Sequence, residues 1–103
     1  MITVFVYGGL MRNCRYHQHY LQGQKFLGKA FIEGYKKYIL GGLHGILPEE
    51  GTLVQGEVYE IDPAALAKLD FHHDNGTMFT RSIVGVELEN GETLPAEVYI
   101  WNG

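Results

Sequence analysis

Two stretches of this sequence carry groups able to do chemistry. His72-His73-Asp74 sets two imidazoles beside a carboxylate, and imidazole, which titrates near neutrality, is the commonest general base. Tyr7-Gly8-Gly9-Leu10 follows an apolar run and leaves backbone N–H groups open, where a carboxylate or a developing oxyanion can be received. Both have plainer readings. The histidines can cap a helix C-terminus, where the dipole favours a cation, and a Gly-Gly pair can simply end a strand. No Gly-Lys-Ser/Thr follows the glycines, so a phosphate loop is disfavoured.

Other reactive types weigh less. Glu57 shares an alternating face with Gln55, Tyr59 and Ile61, which makes it a buried-acid candidate ranked below His73, since a one-residue register shift would place it in water. Five histidines invite a metal, with His44 and His72-His73-Asp74 as the conceivable ligands. His17 and His19 splay apart on a helix, and no His-Glu-x-x-His or Cys-x-x-Cys frame exists, so none is expected. Cys14, the only cysteine, has no disulfide partner and reads as a small packing residue.

The chain that must position these groups has 103 residues, 46% hydrophobic and 19% charged, which suits one globular domain with one core. A net charge of −4 argues against nucleic acid, whose phosphates need clustered Lys and Arg. No apolar run approaches the roughly 20 residues of a membrane helix, and the first residues lack a signal peptide's basic head, so a cytoplasmic protein away from membranes is expected.

Ile2 to Tyr7 reads as a buried strand stopped by the glycines. Asn13 can cap a helix ending near Leu21. Phe26 to Ile32 and Lys36 to Leu40 read as two strands broken at Gly34, and Leu43 to Gly51 as an irregular connection. Val54 to Ile61 is the next strand, and Asp62-Pro63 opens a helix to about Asp70. Ile83 to Leu88 and Ala96 to Trp101 pair across Asn90-Gly91 as a hairpin. Short strands with two modest helices make an α+β fold with a curled or closed sheet, its interior packed by Tyr35, Tyr38, Tyr59, Tyr99 and Trp101.

Val6-Tyr7-Gly8-Gly9-Leu10, Gly56-Glu57-Val58-Tyr59, Leu69-Asp70 and Phe79-Thr80-Arg81 occur in this order across nearly the whole chain. In that order and placement they resemble the gamma-glutamylcyclotransferase-like family. The resemblance implies a single domain over residues 1–103, a small mixed β-barrel flanked by short α-helices. It also implies a reaction without cofactor or metal, in which the α-amine of a gamma-glutamyl compound attacks its own side-chain carbonyl and releases 5-oxoproline. Tyr7, Gly8, Gly9 and Leu10 would bind the small gamma-glutamyl substrate, and Tyr99 would line the pocket.

Two positions depart from the family pattern. Gly9 stands where a Ser or Thr is usual, and His73 stands where the family carries its catalytic Glu. His73 can replace that base, or Asp74 can reach the site through a shifted loop. The alternative is a non-catalytic small-molecule-binding member of the same fold, and a third class is an interaction module that buries its acidic second half in a partner. The oligomeric state is not legible in the sequence.

Overall fold

The computed structural model describes residues 1–103. Strand β1 (Ile2–Val6) leads through a 3-10 turn at Gly8–Leu10 to helix α1 (His17–Leu21), and two long strands follow, β2 (Lys25–Leu40) and β3 (Leu43–Ile61). Helix α2 (Pro63–His72), β4 (Phe79–Leu88) and β5 (Thr93–Trp101) complete the chain. The strands close into a barrel in the order β1-β3-β2-β4-β5. It is mixed: β1 joins β5 in parallel at Val4 and Glu97, and every other pairing is antiparallel.

Strand alternation splits the apolar residues into two packed layers. Phe5, Ile32, Ile46, Val58, Val86 and Val98 belong to a core without helix residues, the barrel interior. Val4, Val6, Tyr59, Phe79 and Tyr99 face outward into a second core with Leu21 of α1 and Leu69 of α2. From Val4 to Val6 the β1 run is continuously apolar because both of its faces are buried there. No helix is long and apolar enough to cross a membrane.

Several expectations need correction. Lys25–Leu40 is one strand, interrupted only by register irregularities around Leu27 and Gly34. Leu43 to Gly51 is not irregular but the first half of β3, paired with β2 from Tyr35↔Pro48 to Leu40↔Leu43. Gly41-Gly42 is the two-residue turn between them, and Gly41 takes the positive φ (65°) that such turns demand. Helix α1 starts only at His17, and Asn13 adopts φ 65° instead of capping it. Tyr59, Tyr99 and Trp101 pack outside the barrel beneath the helices, and Cys14 is exposed.

Candidate active site

The end of β1 delivers Tyr7, which is buried and donates its hydroxyl hydrogen to the Tyr99 carbonyl at 2.6 Å. Gly8, at φ +63°, then turns the chain into the 3-10 turn. Gly9 has no room for a side chain, since a Cβ there would lie 2.9 Å from the Tyr16 ring. The carbonyl of Gly9 accepts from the Tyr16 N–H at 2.8 Å. His17 donates its Nδ1–H to the Leu10 carbonyl at 3.0 Å, tying α1 to the same turn.

Glu57 fixes the next residue. It is buried, accepts the backbone N–H of Arg12 at 2.8 Å and the Tyr59 hydroxyl at 2.9 Å, and its second oxygen lies 3.5 Å from Arg12 Nε. The alternation therefore correctly marked it as buried, on the face of β3 that it shares with Tyr59. Its partners show why a carboxylate is tolerated there: it holds the turn that follows Leu10.

Helix α2 brings the second half of the site. The Asp62 carboxylate caps it by accepting the Ala65 N–H at 2.8 Å, a bond that holds the carboxyl below its usual range. At the other end His73 is the C-cap, and Asp74 takes φ 49°. That left-handed step sends neighbouring side chains apart: His73 is 5% exposed, whereas Asp74 lies exposed beside Ala67, Phe71 and Asn75.

The His73 ring is held in plane. It stacks on Tyr99 at 3.9 Å with an interplanar angle of 5°, and packs edge-on against Phe79 at 5.1 Å. Tyr99 in turn donates its hydroxyl hydrogen to Asp70 at 2.6 Å, and Arg81 grips Asp70 through Nε at 2.9 Å and Nη2 at 3.3 Å. Arg81 also reaches Glu97 at 2.5 Å. Asp70 is thus the anchor of the ring that supports His73.

A cavity of about 20 Å³ lies where these parts meet, walled by Tyr7, Gly9, Leu10 and Tyr16 on one side and Leu43, His44, His72 and His73 on the other. The structure therefore brings Tyr7, Gly9, Leu10 and His73 together. It does not bring Gly8, which His44 covers, Tyr99, which stands behind His73, or Asp74. Tyr16, Leu43 and His44 had no sequence signal as walls of this cavity, the last two because their segment did not read as strand.

Electrostatics set the state of His73. Its Nδ1–H donates to the Leu69 carbonyl at 2.8 Å, which leaves Nε2 as the nitrogen with a free lone pair. Burial pushes its pKa down from 6.5 to about 4, against the opposing pull of the Leu69 bond. Burial also lowers His72, which lies beside His19, and His44, which lies near Lys37.

This has a measurable consequence. Because His73 protonates at lower pH in the folded chain than in the unfolded one, the unfolded state binds more protons between pH 6.5 and about 4, so stability falls as pH drops through that window and levels off below it. The loss from this residue is expected to be about 3 kcal/mol. Urea titrations from pH 7 to 4 should show it, and His73→Phe should flatten most of the slope. An NMR titration of His73 with a midpoint near 6.5 would contradict it.

With the geometry established, comparison with known proteins identifies the lineage. A family model described as gamma-glutamyl cyclotransferase, AIG2-like, matches residues 4–103. The chain belongs to this family. It is 40% identical over 83 residues to the gamma-glutamylcyclotransferase family protein YtfP of Escherichia coli K12, covering 81% of this chain and 72% of that one. It is 34% identical over 110 residues to the gamma-glutamylaminecyclotransferase of Bos taurus, covering 98% of this chain and 65% of the bovine one. Among solved structures, a mouse AIG2-like protein matches with a TM-score of 0.87 at 30% identity, covering 99% of this chain and 78% of the mouse chain. The small mixed barrel with flanking helices is the family's fold.

Proposed function

We propose that this protein is a gamma-glutamyl cyclotransferase that releases 5-oxoproline from a small gamma-glutamyl amine or a related amide, with His73 as its base. The observation that carries the reading is the pairing of a neutral, oriented imidazole with the glycine turn that follows β1. His73, with Nε2 free, and Gly9 wall the same cavity.

In this reading the substrate's α-amine attacks its own γ-carbonyl carbon, and Nε2 of His73 takes the proton that the nitrogen loses as the ring's C–N bond forms. The carbonyl oxygen becomes an oxyanion that the Gly9 N–H can receive. Return of the proton from His73 to the departing nitrogen accompanies cleavage of the original amide bond, leaving 5-oxoproline and a free amine. A base of such low pKa cannot deprotonate an ammonium efficiently in water. It suits a dry site that admits the amine uncharged, which predicts a rate that climbs with pH as the free amine becomes available.

Similarity to the bovine gamma-glutamylaminecyclotransferase supports this substrate class. The test is 5-oxoproline release by the full chain from a panel of gamma-glutamyl amines and dipeptides. Release from at least one member is expected. Thermal stabilisation by panel members with no 5-oxoproline from any of them would instead make the protein a binder of this fold.

A further inference from the structure

A cavity of about 20 Å³ has space for little more than a water molecule, whereas organic ligands occupy pockets of several hundred Å³. What closes it is the tip of the β2–β3 hairpin. His44 lies directly on the backbone of the Tyr7–Leu10 turn: a Cβ on Gly8 would be 2.5 Å from its Nδ1 and 2.9 Å from its own Cβ. Gly8 is therefore needed twice, for its positive φ and for the flat seat it offers the imidazole.

The seat is held weakly. The His44 ring makes no hydrogen bond, and the only side-chain bond to the tip is the exposed one from the Tyr16 hydroxyl to the Gly42 carbonyl, at 3.2 Å. No atom lies near the side-chain position of Gly41, and Ile39 is 77% exposed. Deeper in the hairpin the situation reverses. Ile46 is fully buried in the barrel interior, and Gly45 is crowded by Leu40 Cδ1 at 2.6 Å and Trp101 Cβ at 3.0 Å from the place of a Cβ. Looser side-chain packing is confined to the few residues around His44, whose backbone is paired with Ile39.

We propose that His44 is the gate and the size-determining residue of this site. Its ring must leave Gly8 before a ligand reaches Gly9 and His73, and the space it vacates sets how large a bound group can be. The inference rests on reading the cavity as the substrate site, yet the gate is measurable without turnover.

Diethyl pyrocarbonate acylates an unprotonated imidazole nitrogen, so its rate at His73, resolved by peptide mass spectrometry at pH 7, reports how often the cavity is open. That rate scales with the open fraction. His44→Ala is expected to raise labelling of His73 about tenfold, with exposed His19 changing less than about twofold, because removal of the ring abolishes the closed state's hold. His44→Phe keeps the plug without a titratable group and is expected to label at the wild-type rate.

Equal labelling of His73 in wild type and His44→Ala would overturn the gate, as would accelerated labelling in His44→Phe. Faster labelling in His44→Ala with no 5-oxoproline from any variant would uphold the gate and remove the cyclotransferase reading. Where the panel is turned over, His44→Ala should lower KM most for the bulkiest substrates while changing kcat little.

Discussion

Replacing Gly56 by alanine is expected to cost this protein about 3 kcal/mol or more of folding stability. Gly56 sits in β3 opposite Ala30, and the added Cβ would lie 2.2 Å from the Val6 carbonyl oxygen and 2.6 Å from Phe5 Cζ. The phenyl ring could tilt. The carbonyl cannot, because β1 is paired to β3 along its whole length and leads straight into Tyr7. Overpacking of a core costs roughly 1–3 kcal/mol even when side chains absorb it, and here backbone must shift in a closed barrel, so about 3 kcal/mol or more is expected. At roughly 4–8 °C per kcal/mol for a domain of this size, the melting temperature should fall by about 15 °C or more. Gly85→Ala is the control: it is exposed, and its nearest neighbour would be Thr93 at 3.9 Å. Similar melting curves for the two variants would contradict the packing described for Gly56.

Asp70→Ala is the second large effect. The substitution removes the acceptor of the Tyr99 hydroxyl, whose residue is 1% exposed, and two of the three bonds made by the Arg81 guanidinium. A buried hydroxyl left unpaired costs about 1–3 kcal/mol. The ion pair adds less than a fully buried one, because the Asp70 and Arg81 side chains are 27% and 25% exposed and Arg81 retains Glu97. A loss of about 2–3 kcal/mol in urea unfolding is therefore expected. Asp70→Asn keeps an oxygen for Tyr99 and should lose roughly half as much. Because Tyr99 supports the His73 ring, both variants should also move the His73 imidazole resonances in NMR spectra. Unmoved resonances would mean that the network is structural only.

Where local chemistry decided the outcome, the sequence was readable. Asp62-Pro63 started α2 as its capping chemistry requires, Asn90-Gly91 joined β4 to β5, and alternation buried Glu57. Leu43 to Gly51 failed because His44, Pro48 and Glu49-Glu50 have no strand character of their own. Pairing with β2 imposes the conformation, and the usable signal was Gly41-Gly42 between two leucines. Asn13 failed as a cap because its own backbone turns left-handed, a conformation that asparagine tolerates without announcing.

The site was legible in part for the same reason. The loop at Tyr7–Leu10 and the histidines after α2 stood out by residue type, but barrel closure alone brings positions more than 60 residues apart to one cavity. The different fates of His73 and Asp74 turn on a single positive φ at Asp74. His44 entered the site through the segment whose strand was not foreseen.

The most direct test of the central claim compares 5-oxoproline release by wild type, His73→Ala, Asp74→Ala and His73→Glu on the best substrate of the panel, with each variant's fold checked by its melting curve. A positioned general base contributes about 10²–10⁴-fold. His73→Ala should therefore lose at least about a hundredfold in kcat, Asp74→Ala should match wild type, and His73→Glu should retain or exceed wild-type activity. A folded His73→Ala that turns over at the wild-type rate would contradict the assignment of His73 as the base.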